Sequence, residues 1–271
     1  MSASRVVALV ALFAATLLQV AAAAAPASVY LEDLTWTELR DAQRAGKTTI
    51  IVPVGGTEQS GPQIALGKHN VRAQVLAGRI AEALGNALVA PVVSYVPEGS
   101  ITPPAGHMRF PGTISIPDDA FQGLLAGAAR SFRQGGFTDV VLIGDHGGYQ
   151  AQLNAVAQRL NHEWSASKAR VHFIDTYYRV TQTDYVQWLH GQGLNDAQIG
   201  SHAGSADTAL TQAVAPARVR PEQFAAAARD APGNGVAGDP RAATAALGQA
   251  GVDLIVSHSV IAIRKAVAAR Q

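Results

Sequence analysis

The chain has 271 residues, 48% of them hydrophobic and 15% charged, with 21 basic against 20 acidic residues and a formal charge of +1. That balance, without a long basic block, a zinc finger or an RNP-like segment, excludes an electrostatic nucleic-acid binder, and the apolar share excludes a disordered chain. No cysteine is present, which removes disulfides, thiolate metal ligands and cysteine nucleophiles together.

In chain order, Met1–Arg5 carries one positive charge, Val7–Val20 is apolar, and Ala21–Ala27 is a small-residue exit. This is the order of a signal peptide, so residues 1–25 are expected to be removed and the protein to be periplasmic or secreted. An apolar run of 14 residues falls short of the about 20 that a bilayer span needs, so no stable membrane insertion is expected after cleavage. Residues 26–271 suit a single α/β domain.

Thr35 or Thr37 could cap a short helix reaching Ala45. Thr48–Val54 reads as a buried strand that delivers the loop opening at Gly55-Gly56. Asn70–Leu84 is a helix, with Val71, Val75, Leu76, Ile80 and Leu84 at three- and four-residue intervals and Gly85 as its stop. Ala87–Val93 is the next strand, and 97–112 is a proline- and glycine-rich loop. A helix from Pro117 to Phe132, a strand at Thr138–Ile143, a helix at Tyr149–Trp164 and a strand at Ala169–Ile174 follow. Repeated strand, glycine-rich loop and helix predicts a mostly parallel central sheet with helices on both faces. Beyond Arg179, residues 203–214, 221–229 and 239–249 look helical, and Val252–Ala262 could include a strand.

Open parallel sheets place ligands beyond the carboxyl ends of their strands. The polar residues concentrate in three such loops: Gly55 to Asn70, Gly144 to Gly148, and Ile199 to Thr208. From residue types alone, Glu58, His69 and His146 could supply one carboxylate and two imidazoles, a normal set for a hydrolytic zinc site. Each histidine taken singly is as readily a cap or packing residue. Neither GxGxxG nor GxxxxGK[ST] follows a strand, and no G-x-S-x-G elbow surrounds Ser60 or Ser205, which weighs against nucleotide binding and serine hydrolysis. His107 and Arg109, between two proline-glycine turns, could line a substrate mouth, and Arg109 would suit a carboxylate. Glu98, Tyr177 and Tyr178 are weaker candidates of the same kind.

Four ordered segments carry a resemblance: Pro53-Val54-Gly55-Gly56-Thr57-Glu58-Gln59-Ser60-Gly61-Pro62-Gln63 with His69-Asn70, Phe110-Pro111-Gly112-Thr113, Gly144-Asp145-His146-Gly147-Gly148, and His202-Ala203-Gly204-Ser205-Ala206-Asp207-Thr208. In this order they resemble the creatininase (creatinine amidohydrolase) family over nearly all of the mature region. The resemblance implies hydrolysis of a cyclic amide or related C–N bond, often with two divalent metals. The first-metal positions fall on Glu58, His69 and His146, with histidine where the family has a bridging aspartate. The second-metal positions fall on Ser60, His69 and Gly148, which are poor ligands or cannot bridge, so one divalent ion is expected, Zn2+ before Mn2+. The family's catalytic histidine and acid fall on His202 and Asp207.

The mechanism expected from this set has water activated at the metal, Asp207 or Asp145 relaying its proton, and His202 assisting the leaving nitrogen. Gly147 and Gly148 would offer backbone N–H groups to the oxyanion. A small-molecule substrate is expected, and the resemblance also implies a homo-oligomer, a hexamer among family members. The rival readings are a catalytically reduced metal- or ligand-binding protein, and a lactone or ester hydrolase on the same fold.

Overall fold

A computed structural model describes residues 28–269. The expected signal peptide and its cleavage site lie outside the described residues.

Four parallel strands form the sheet: β1 (Thr49–Val54), β2 (Ala87–Val89), β3 (Asp139–Gly144) and β4 (Arg170–Phe173), in the spatial order β2-β1-β3-β4. Register is set by Thr49 opposite Ala87 on one side of β1 and opposite Asp139 on the other, and by Asp139 opposite Arg170. β1 and β3 are apolar after their first residues, Thr49 and Asp139, and buried at every residue, as a sheet covered on both faces requires. β2 is shorter than its apolar run, which continues to Val93. Pro91 has no N–H to donate, and beyond it only Val93 returns to bridge Val54.

Side-chain alternation along the strands divides the interior in two. Ile50, Val52 and Val54 of β1 point into one core with Val140 and Leu142, while Ile51 points into the other with Val141 and Ile143. The first core is closed by α3 (Asp118–Gln134) and α4 (Gln150–Glu163) through Phe121, Leu125, Leu153, Val156 and Leu160. Each such apolar side chain contributes about 1.5–3 kcal/mol on full burial. The second core is closed by α2 (Lys68–Leu84) with Leu76 and Ile80, and by helices of the C-terminal third. Two elements matched their local signals closely. The first, α1 (Trp36–Arg44), starts at a capping box in which Thr35 Oγ1 accepts the Glu38 N–H and Glu38 accepts the Thr35 N–H. The second, α2, ends at Gly85 with φ 81°.

The C-terminal third keeps the helices expected at 203–214 and 221–229 but departs from the sequence reading before and after them. α5 (Thr176–Gln182), α6 (Asp184–Gly191) and the one-turn α7 (Asp196–Ile199) precede α8 (Ser205–Val214) and α9 (Phe224–Arg229). The expected helix at 239–249 and strand within 252–262 are instead one continuous helix, α10 (Ala245–Ala268), capped by Thr244 Oγ1 accepting the Leu247 N–H. Its buried positions Val252, Ile255, Ser259, Val260 and Ile263 recur at helical spacing, and tertiary packing of that stripe overrides the β-branched composition. By length and composition α10 could cross a membrane. Here Gly248 packs directly on the backbone of α8 at Ala209, and Gly251 on the ring of Tyr185, so the helix serves as a core element.

Candidate metal centre and its pocket

The connection leaving β1 runs to β2 on one side, and the chain then crosses to β3 on the other. Ligands collect at such a reversal, beyond the strand ends. The loops after β1 and β3 meet there, tied by Tyr149. Its hydroxyl lies 2.8 Å from Val54 O and 2.6 Å from Gly55 O, and it accepts the His146 N–H at 3.1 Å. Asn70, in the first turn of α2, holds the other side of the loop: Oδ1 accepts the Gly56 N–H at 2.9 Å and Nδ2 donates to Thr57 Oγ1 at 3.1 Å. These ties place Asp145 and His146 in the lining of a pocket of about 300 Å³, with Glu58 buried against His146. Its walls include Lys68, Arg72, His107, Tyr178, His202 and Asp207.

Glu58 is fully buried. Its Oε1 lies 2.7 Å from His69 Nε2 and 3.4 Å from Lys68 Nζ. Its Oε2 has no hydrogen-bond partner, yet it faces His107 Nε2 at 3.3 Å and His146 Nε2 at 3.5 Å. The Glu58, His107 and His146 donor atoms lie within 4.8 Å of one another. A buried carboxylate oxygen left without a hydrogen costs free energy unless a cation meets it. Burial also pushes His107 below its ordinary value and His146 down to about 4, Glu58 opposing in part, so the imidazoles are neutral, the form that binds a metal. Burial pushes the Glu58 carboxyl up, but Lys68 and His69 outweigh it and hold Glu58 well below the usual range. One carboxylate and two imidazoles, with an orphaned oxygen between them, fit a divalent ion.

The arrangement departs from the expected ligand set at His69. Both of its nitrogens face carboxylates, Nε2 toward Glu58 and Nδ1 toward Asp145 Oδ1 at 2.5 Å. His107, expected as a substrate contact, stands in the three-residue group instead. Its loop is anchored where Ile114 N–H donates to Thr57 O and Gln59 N–H to Thr113 Oγ1. Those bonds bring the Phe-Pro-Gly-Thr segment, and His107 just before it, against Glu58. That segment was a signal in the sequence, but its distance from Glu58 was not.

Asp145 and Asp207 are anchors rather than free bases. Asp145 accepts from Arg72 Nε at 2.8 Å and Tyr177 Oη at 2.8 Å, besides facing His69. Asp207 accepts from Arg72 Nη1 at 2.6 Å, from Lys68 Nζ, and from the Ala203 N–H at 3.0 Å. For both, burial raises the carboxyl, but the neighbouring cations prevail, Arg72 on Asp145 and Lys68 with Arg72 on Asp207. With every oxygen engaged, neither matches the expected proton relay. Tyr177 is buried and spent on Asp145. Its neighbour Tyr178 lines the pocket, its hydroxyl 2.6 Å from where a Cβ at Gly147 would sit. Arg109 is exposed and donates to Gly106 O, outside the pocket. Gly147 lines the pocket as expected, whereas the Gly148 N–H donates to His146 Nδ1 at 3.2 Å.

His202 reaches the pocket as expected. Its backbone pairs with Ala237, and Ala203 beside it adopts φ 54°, a left-handed conformation that a non-glycine residue holds only with support. Asp207 supplies that support through the Ala203 N–H. His202 Nε2 lies 3.0 Å from Gln59 O and donates to it, which leaves the Nδ1 lone pair 3.6 Å from Glu58 Oε1. Burial, then Lys68, pushes His202 down to about 3. It therefore offers a lone pair and an N–H, not the imidazolium proton that an unperturbed histidine could carry.

Lys68 and Arg72 went unrecognised as site residues from sequence. They sit at i and i+4 on the buried stripe of α2 with Leu76 and Ile80, and a cation in a core-facing position was the available signal. Gln59 was missed likewise. Its amide donates to Gly235 O at 2.9 Å and lies 2.9 Å from His107 Nδ1, joining two walls of the pocket. Glu98 is buried beside His146, where burial and then Glu58 push its carboxyl up to about 9.

Comparison with known proteins agrees with this fold. A solved structure of a Trp-to-Phe mutant of creatininase, Type II, superposes with a TM-score of 0.74 at 23% identity, covering 89% of this chain and 99% of that one. The structure described as "Creatininase Mn" gives 0.72 with the same identity and coverage. At such identity these matches establish the fold. A mycofactocin precursor peptide peptidase of Mycolicibacterium smegmatis is 35% identical over 119 residues, 42% of this chain and 45% of the relative. The creatinine amidohydrolase of Pseudomonas putida is 29% identical over 119 residues, 44% and 45% respectively. Each match thus spans less than half of the curated relative. The family model for creatininase (creatinine amidohydrolase) matches residues 32–263, nearly all of the described chain, and the protein belongs to that family.

Proposed function

We propose that this protein is a metal-dependent hydrolase of a small C–N-containing substrate, a cyclic amide by first choice, using one divalent ion, Zn2+ or Mn2+, held by Glu58, His107 and His146. The carrying observation is the orphaned Glu58 Oε2 between two neutral imidazoles. Relatives described as creatinine amidohydrolase, and solved creatininases described as a Zn-Zn type and as "Creatininase Mn", support the metal and bond class. A single ion follows from Glu58 Oε1, which is already taken up by His69 and Lys68.

Bound there, the ion would supply Lewis acidity for polarising a carbonyl and acidifying water. The rest is the chain's own chemistry. The 300 Å³ pocket admits a small molecule. Lys68 and Arg72 fix Asp207, Asp207 fixes the strained Ala203, and that backbone sets the His202 ring. His202 Nδ1 then accepts a hydrogen bond from a substrate N–H, while Nε2–H stays on Gln59 O. Tyr178 and Gly147 shape the opposite wall.

A second reading, a metal- or ligand-binding protein with reduced catalysis, draws on the full engagement of Asp145 and Asp207, which leaves neither carboxylate free as a base. Export, argued from the order of residues 1–25, and assembly into a homo-oligomer, a hexamer by family resemblance, belong to the same proposal.

The test is metal content of purified protein, followed by a panel of cyclic amides, imides, lactones, short peptides and phosphoesters. About one ion per chain, with turnover lost to a chelator and restored by Zn2+ or Mn2+, is expected. One ion without turnover would favour the binding-protein reading. No ion after supplementation would refute the metal centre.

A further inference from the structure

Glu98 is a carboxyl with no visible compensation for its burial. Neither oxygen has a hydrogen-bond partner, and the side chain is inaccessible. Leaving such a group unpaired costs free energy, yet the surrounding chain accommodates it. Gly56 adopts φ 144°, and a Cβ there would collide with Glu98 Oε1. Ser115 Oγ accepts the Glu98 N–H at 3.0 Å and donates to Gly99 O at 2.8 Å, which pins the backbone on both sides.

The carboxyl faces two groups, the Glu58 carboxyl and the His146 ring. Glu98 Oε2 lies 3.4 Å from His146 Nδ1, while His146 Nε2 lies 3.5 Å from Glu58 Oε2. The imidazole is strung between two carboxyls, one at each nitrogen. A neutral imidazole has one lone pair, so a metal on Nε2 requires the proton on Nδ1, and that N–H needs an acceptor. The Gly148 N–H, at 3.2 Å from Nδ1, favours the opposite tautomer. Gly148 is exposed, however, so water can replace that bond. Glu98 is buried at the right place, and although burial and the neighbouring Glu58 keep its carboxyl protonated at neutral pH, the carbonyl oxygen of that acid still accepts.

We infer that Glu98 is the positioning residue for His146, accepting its Nδ1–H and so selecting the tautomer that turns the Nε2 lone pair toward the metal. The inference rests on the metal reading above. Zinc titrations against a chromophoric chelator, on full-length protein, compare wild type with Glu98→Leu and Glu98→Gln, each checked by circular dichroism. Glu98→Leu should weaken zinc binding about 10- to 100-fold. Glu98→Gln, whose amide oxygen still accepts, should stay within about 3-fold of wild type. Wild-type affinity in a folded Glu98→Leu protein overturns the inference. Equal losses in both variants also overturn it, pointing to a bond between Glu98 and the metal itself. Should Glu98→Leu not fold, ¹⁵N-histidine NMR of zinc-loaded wild type decides: a proton on His146 Nδ1 is expected, and one on Nε2 refutes the assignment. Wild type that takes up no zinc overturns the underlying metal reading, a result distinct from all of these.

Discussion

Arg72 is the keystone of the buried charge network, and replacing it by leucine should cost more stability than any surface change. Its guanidinium donates to Asp145 through Nε at 2.8 Å and lies 2.6 Å from it through Nη2, while Nη1 reaches Asp207 at 2.6 Å. Removing one partner of a buried ion pair costs about 3–5 kcal/mol, because the charge left behind is uncompensated. Two carboxylates are deprived here, which argues for the upper end. Each keeps other contacts, His69 and Tyr177 for Asp145, Lys68 and the Ala203 N–H for Asp207, which argues for the lower end. We expect about 3–4 kcal/mol for Arg72→Leu, read from urea unfolding at pH 7 with an unchanged m-value. Where melting is reversible, the loss corresponds to a Tm lowered by about 6–16 °C for a chain of this size. Adding Asp145→Asn should recover part of it by removing one stranded charge. A loss below about 1 kcal/mol in Arg72→Leu would mean that water satisfies both carboxylates, and would refute the claim that Arg72 holds them.

Acid should act through the same network. Asp207 is held well below its ordinary value in the fold, so its contribution is complete above the unfolded carboxylate value near pH 4 and is lost as pH falls through the native value. Unfolding free energy measured from pH 7 downward should therefore fall below about pH 4, and Asp207→Asn should flatten that decline. In the metal centre, His107→Ala should weaken zinc binding by about 100-fold or more, whereas Arg109→Ala should leave it unchanged; equal affinities in both variants would remove His107 from the ligand set. In the core, Gly248→Ala should destabilise by about 2 kcal/mol, since its Cβ would press on the carbonyl of Ala209 in α8, backbone that cannot move aside. Gly123→Ala on α3, where a Cβ meets nothing within 4 Å, should instead stabilise by about 0.5–1 kcal/mol, and thermal denaturation of the pair separates close packing from helix propensity.

Local rules read from the chain reached far into this fold. The continuous apolar runs of β1 and β3, the three- and four-residue spacing on α2 and α4, and the glycine stops specify a parallel sheet covered on both faces, because each signal reports only on neighbours within a turn or a strand. The rule that ligands gather beyond strand ends likewise brought out Glu58 and His146, in the loops that follow β1 and β3. Where one local signal competed with another, tertiary packing decided. Residues 252–262 have strand-like composition, yet Gly248 and Gly251 let a helix approach α8 and Tyr185, and the buried stripe favours continuing it. The choice between His69 and His107 lay wholly beyond the sequence. Both are histidines near the same loop, and what separates them is that Asp145, from a strand end 76 residues away, sits 2.5 Å from one ring, while the turn at 110–113 swings the other to 3.3 Å from Glu58 Oε2. A ligand set is a matter of ångströms between segments remote in sequence, and only the folded chain fixes those distances.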